Sequence, residues 1–274
     1  MKKFIYLIVL NAIFMCGLSA SEPCQRILER VTRAGLLPIP VDAVSSLKTH
    51  HWTLLPERKE LLKSEVQEDL IQSFNRIFTD YDKEPYAARV LVGGLTTYQP
   101  TDTVNVAKGL KPETIKAIDA WASDSLDTVR KATGENLEIA NISIGRGHRV
   151  GSDDGTLIHA DNRGTYLHGL VTLSGPTTVV FPHSPELANH RLLSVDPKTG
   201  VMKVQKNVPR GELKELPFEV SNGGDTHLGE TLIFGGFDYS SAKEGRTAIQ
   251  HASPPTSDLN RLTLFISFRP STKK

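Results

Sequence analysis

Two spacings of hydrophobic residues divide the chain. Over residues 57–81 the apolar positions are Leu61, Leu62, Val66, Leu70, Ile71, Phe74, Ile77 and Phe78. Their steps of one, three and four trace a single helical face. A second helical face runs through Ile115, Ile118, Ala122, Leu126 and Val129, with Pro112 at a first helical position and Gly134 as its stop. A shorter helix is expected over 25–33, and residues 87–98 read as a strand interrupted by Gly93 and Gly94. From about Leu137 onward the period becomes two. Strands are expected at 138–145, 156–161, 165–174, 177–181, 201–205, 231–234, 247–251 and 261–268, with Pro, Gly, Asn and Asp in the gaps.

Short strands following a helical region predict an α+β fold. The expected core is a double-stranded β-helix, jelly-roll or cupin-like, with N-terminal helices packed on one sheet. A sandwich of another topology gives much the same string. The organisation expected is a signal peptide over 1–20, a helical supporting region over 21–136 and the jelly-roll core over 137–270.

The first segment carries Lys2 and Lys3, then an apolar run from Phe4 to Met15 broken only by Asn11, then the small residues Gly17, Ser19 and Ala20. That layout predicts an export signal cleaved after Ser19 or Ala20, and a secreted, periplasmic or endomembrane-lumen location. The alternative is an uncleaved anchor, but the run is shorter than the ~20 residues a spanning helix needs, so no stable membrane span is expected after cleavage. Cleavage removes Cys16 and leaves Cys24 alone, so the fold rests on its core rather than on an internal disulfide. Lys and Arg total 32 against 31 Asp and Glu, and with no basic field, nucleic acid is not an expected partner.

The chemistry-bearing residues lie in the strand-rich half. In His159-Ala160-Asp161 an imidazole and a carboxylate sit two residues apart, on one side of a strand. His251 ends another expected strand. Two histidines and a carboxylate on one face of an iron leave positions open for a bidentate ligand and for dioxygen. Arg261 follows His251 by ten residues and opens the last strand. Alternation puts Leu262, Leu264, Ile266 and Phe268 on one face, and Arg261, Thr263, Phe265 and Ser267 on the other. An inward arginine among apolar neighbours calls for an anion. Its planar fork matches a carboxylate, with the Thr263 hydroxyl as a further donor. Arg261 could instead pair with an internal acid such as Glu230.

With His159, Asp161, His251 and Arg261 in that order, each under a strand of the right type, the chain resembles the Fe(II)/2-oxoglutarate-dependent dioxygenases over about residues 137–270. The Arg-x-Ser pair seen in part of that family stands here as Arg261-Leu262-Thr263, with the hydroxyl kept. The resemblance implies Fe(2+) held by His159, Asp161 and His251. It implies 2-oxoglutarate anchored by Arg261 and Thr263, with Tyr166 and Thr172 as further contacts to it. It also implies O2 as oxidant, and hydroxylation of a small-molecule or peptidyl substrate with release of succinate and CO2. An aspartate at 161, where the family's halogenases carry a small residue, favours hydroxylation or a related oxidation.

Two other readings stay open: a secreted, non-enzymatic jelly-roll binding module, and a cupin-like metal enzyme that makes no use of 2-oxoglutarate. Of the remaining histidines, His227 is the strongest competitor as a ligand, but no arginine follows it at the spacing seen after His251. His50, His51, His148, His183 and His190 are expected to be surface, packing or loop residues.

Overall fold

The computed structural model describes residues 42–77, 89–101, 106–146, 158–159, 166–181, 192–195, 201–204, 216–217, 224–235, 250–252 and 261–272. The expected export signal and the helix expected at 25–33 lie outside these residues, as does Asp161.

Three helices occur among the described residues: α1 (Ala43–His50), α2 (Ser64–Ile77) and α3 (Pro112–Thr133). Asp42 caps α1 by accepting from the Ser45 backbone at 2.8 Å. In α3 the expected limits hold, with Pro112 in its first turn and Gly134 closing it in the left-handed region at φ 70°. Helix α2 begins later than the apolar pattern suggests. Residues before it form three-residue turns (Leu61 N to Arg58 O, Leu62 N to Lys59 O), while Arg58 N is drawn to the carbonyl of Gly229. A tertiary contact thus outcompetes helical periodicity at that end.

The strands are β1 (Trp52–Leu55), β2 (Arg89–Val92), β3 (Val106–Ala107), β4 (Leu137–Arg146), β5 (Ile158–His159), β6 (Leu167–Ser174) and β7 (Val179–Phe181). Beyond these come β8 (Leu192–Val195), β9 (Val201–Val204), β10 (Leu216–Pro217), β11 (Gly224–Asp225), β12 (Thr231–Gly235), β13 (Gln250–Ala252) and β14 (Leu262–Pro270). They form two sheets, β1-β12-β6-β14-β4-β2-β3 and β10-β9-β8-β5-β13-β7-β11.

From β4 to β7, and again from β11 to β14, successive strands alternate between the two sheets. The four strands β12-β6-β14-β4 face β5-β13-β7-β11, and every pairing within these two sets is antiparallel. That order is a double-stranded β-helix. The segment between β7 and β11 does not simply turn back. It supplies β8, β9 and β10, a meander that widens the second sheet beyond β5. Strands β1, β2 and β3, from the half whose pattern reads as helical, flank the first sheet.

The alternation expected of β14 is observed. Leu262, Leu264, Ile266 and Phe268 join a large buried cluster with α2 and α3, so the helices cover the outer face of the first sheet. Trp121 of α3 is pinned there by its indole N–H, which donates to Thr231 Oγ1 at 2.8 Å. Fully burying each large apolar side chain in that layer contributes about 1.5–3 kcal/mol. A smaller cluster fills the space between the sheets, where Val180 of β7 meets Trp52, Leu54, Leu170, Leu232 and Phe234. Among the described residues no helix is long and apolar enough to cross a membrane.

Candidate functional site

The inward face of the double-stranded β-helix brings together several residues that are far apart in the chain. His251 on β13 is 4 % exposed, and its ring lies 4.6 Å from that of Phe234, tilted by 53°. Phe234 belongs to the opposite sheet, so His251 faces the space between the two. Antiparallel pairing of β13 with β5 puts His159 directly opposite His251. Sequence spacing could not reveal this pairing of two expected ligands.

Arg261 is 1 % exposed at the foot of β14. Its Nε donates to the carbonyl of Pro176 and its Nη2 to Thr178 Oγ1, both at 2.9 Å. Pro176 and Thr178 lie in the turn joining β6 to β7, so this turn fixes the plane of the guanidinium. Gly175 permits the approach: a Cβ there would lie 2.8 Å from Arg261 Cα, and its φ of +79° also favours glycine. The sequence reading missed Gly175 and Thr178. Their only signal is the Ser174-Gly175-Pro176 turn between two strand patterns.

Next to Arg261 the register sets Thr263 of β14 beside Thr172 of β6. Both are buried. The Thr263 hydroxyl donates to the Gly145 carbonyl at 3.3 Å. Thr172 Oγ1 has no hydrogen-bond partner among the described residues. An unmade bond of this kind costs about 1–3 kcal/mol, so a buried hydroxyl left open beside an arginine fits a polar ligand. Gly145 keeps the floor open: a Cβ on it would come within 2.6 Å of the Phe265 ring and 2.8 Å of Thr263 Oγ1.

Tyr166 is not brought to this group. Its backbone N–H donates to the carbonyl of Phe268, at the other end of β14 from Arg261, and its hydroxyl donates to Glu135 Oε1 at 2.8 Å. Tyr166 precedes β6 and lies six positions from Thr172, about 20 Å at strand rise. His227 is also apart. It sits in a turn with its side chain 61 % exposed, 3.7 Å from Glu230, whose carboxylate accepts from the His227 backbone at 2.7 Å. His51 closes α1 in the left-handed conformation. His148, His183 and His190 lie outside the described residues.

The residues present suit an iron and a dicarboxylate at the level of donor chemistry: two histidine positions paired across one ladder, and a guanidinium with two hydroxyls at the foot of the facing sheet. Among the described residues no cluster of three metal-binding side chains occurs; Asp161 is not one of them.

No protein-family model and no curated protein matches the chain. Solved structures similar to it include a non-heme α-ketoglutarate-dependent epimerase of nogalamycin biosynthesis, SnoN, at 15 % identity and a TM-score of 0.42, covering 84 % of this chain and 82 % of that one. HygX from Streptomyces hygroscopicus, solved with nickel and 2-oxoglutarate, is 13 % identical with a TM-score of 0.42, over 84 % and 86 % of the two chains. A prolyl-4-hydroxylase from Pseudomonas putida is 12 % identical with a TM-score of 0.41, over 84 % and 97 %. The fold assignment rests on this chain's own strand order.

Proposed function

We propose that the protein is an exported Fe(II)- and 2-oxoglutarate-dependent oxygenase, in which His159, Asp161 and His251 hold the iron and Arg261 anchors 2-oxoglutarate. The observation that carries this reading is the His159–His251 pairing on adjacent strands of a double-stranded β-helix, with Arg261 buried at the start of the next strand.

When bound, the iron and the 2-oxo acid supply the oxidising chemistry. The chain's own residues bind, orient and exclude water. Arg261, held in plane by Pro176 and Thr178, presents its fork to the far carboxylate. The open hydroxyl of Thr172, beside Thr263, would supply a further donor to that carboxylate. Leu170, Leu232, Phe234 and Val180 line the interior with apolar surface and keep bulk water from the reacting atoms. The Phe234 ring packs against the His251 ring. The substrate is a small molecule or peptide that is hydroxylated, with succinate and CO2 as co-products.

The test is anaerobic absorption spectroscopy of the purified protein with Fe(II) and then 2-oxoglutarate. A metal-to-ligand charge-transfer band that is absent in His251→Ala and weakened in Arg261→Lys is expected. A folded protein that binds Fe(II) but shows no band on adding 2-oxoglutarate overturns the cosubstrate assignment and leaves a cupin-like metal site. A folded protein that binds no Fe(II) leaves a binding module.

A further inference from the structure

One register row crosses five strands of the first sheet on its inward face. Trp52 of β1 stands opposite Phe234 of β12, Phe234 opposite His168 of β6, His168 opposite Ser267 of β14, and Ser267 opposite Asn141 of β4. The row lies four residues along β14 from Thr263, about 13 Å, and six from Arg261, about 20 Å. Between them runs an apolar row containing Phe265, Leu170, Leu232 and Leu54.

The far row is level with His251. The His168 ring stacks on Phe234 with centroids 5.4 Å apart and planes at 21°, and the same Phe234 ring contacts His251. His168 is half-buried, so solvent reaches the row at that point. Ser267 Oγ lies 3.5 Å from His168 Nδ1.

Trp52 is fully buried, yet its indole Nε1–H has no hydrogen-bond partner among the described residues. The chain's other tryptophan shows the usual outcome, since Trp121 donates to Thr231 Oγ1. A buried indole normally finds an acceptor, and one that does not costs about 1–3 kcal/mol. The side chains that share its buried cluster are apolar: Leu54, Leu170, Leu232 and Phe234. A charged group is costly to bring into such surroundings, whereas a neutral carbonyl oxygen is not. Flat groups suit the aromatic faces beside it.

We propose that Trp52, Phe234 and His168 form a substrate-positioning shelf beside His251, on which the Trp52 indole N–H donates to a neutral carbonyl oxygen of a planar substrate group, such as an amide. This rests on the reading of His251 as a metal ligand. The shelf lies at the opposite end of the interior from Arg261, so cosubstrate and substrate occupy separate ends.

The test is NMR of the full protein labelled with 15N-tryptophan, loaded with Zn(II) and 2-oxoglutarate, and titrated with benzamide as a planar amide probe. The Trp52 indole resonance is expected to shift while that of Trp121 stays in place. Trp52→Phe keeps the ring and removes the donor. It is expected to weaken benzamide about fivefold or more, the worth of one neutral hydrogen bond, with Zn(II) and 2-oxoglutarate affinities unchanged. The Trp121 resonance reports that this variant is folded. His168→Ala, at a half-buried position, is expected to weaken benzamide as well. A Trp52 resonance that stays fixed up to the solubility limit of the probe, or variants that bind benzamide as tightly as the parent, overturns the proposal. Repeating the titration without metal separates the two readings. A parent protein that takes benzamide at Trp52 but no Zn(II) overturns the oxygenase and retains the shelf as a binding site.

Discussion

His251 stands directly opposite His159 across the β5–β13 ladder, while its ring packs on Phe234 from the facing sheet. Backbone pairing therefore sets the spacing of the two histidine positions, and a ring from the other sheet packs against one of them.

His251→Ala is expected to abolish Fe(II) uptake while the protein remains folded. Loss of a partner that merely supports a ligand weakens metal binding about 10–100-fold, and loss of a ligand should exceed that. The missing ring contact with Phe234 should cost about 1–3 kcal/mol in stability. Anaerobic Fe(II) titration and urea unfolding read the two effects separately. Full Fe(II) affinity in a folded variant would remove His251 from the metal site.

Arg261→Lys is expected to retain Fe(II) and to weaken 2-oxoglutarate at least about tenfold. An ammonium keeps the charge, but it cannot donate to Pro176 and Thr178 and also present a two-pronged face to a carboxylate. Titration of the iron-loaded protein with 2-oxoglutarate measures this. Equal affinity in the two proteins would show that Arg261 serves only the β6–β7 turn.

Gly175→Ala should act on the same step from a distance. The added methyl would meet the Arg261 backbone at 2.8 Å in a turn with positive φ. Arg261 must shift, at a cost of about 1–3 kcal/mol in stability. 2-Oxoglutarate binding is expected to weaken while Fe(II) affinity holds. A variant with parental 2-oxoglutarate affinity would show that the turn does not position the guanidinium.

Much of this arrangement was legible in the chain. Alternation along β14 put Leu262, Leu264, Ile266 and Phe268 on one face and Arg261 and Thr263 on the other, and the structure makes the first the helix-covered face. Pro112 and Gly134 marked the limits of α3. Strand partners were not legible, because period two states which face a residue takes and nothing about which strand lies beside it. That is why the opposition of His159 and His251, the row from Trp52 to Asn141, and the β8–β10 meander emerge only from the fold. Tyr166 shows the same limit: it shares the parity of Thr172, but it precedes β6 at the end away from Arg261, packs with the helix-side cluster and donates to Glu135. Trp52 carried no signal, sitting in a four-residue strand between a helix cap and Pro56.

Thr231→Val tests how the helices are fastened to the sheet. The substitution keeps the shape of the side chain and removes the acceptor for the Trp121 indole, which is 1 % exposed. Leaving that donor unmade should destabilise the protein by about 1–3 kcal/mol. Fe(II) binding should be unaffected, because Thr231 faces α3 and His251 lies on the other side of the sheet. Urea unfolding with a parallel metal titration checks both statements. An unchanged midpoint would mean the indole finds another acceptor.

Asp119 sets a pH dependence remote from the metal. Burial alone would raise its carboxyl, but hydrogen bonds from the Thr96 and Thr97 side chains and backbones outweigh that and hold it below its ordinary value of 3.8. These bonds tie the segment after β2 to α3. A carboxyl whose folded value is depressed binds fewer protons in the folded state than in the unfolded one. Its stabilisation is therefore complete above 3.8 and is lost as pH falls through the lower folded value. Asp119→Asn is expected to be less stable than the parent at neutral pH, and the gap should narrow as the pH drops below 3.8. Urea midpoints of both proteins from neutral to acid pH measure the gap. A difference that stays constant across that range would mean that protonating the carboxyl changes nothing, and that the charge of Asp119 contributes nothing.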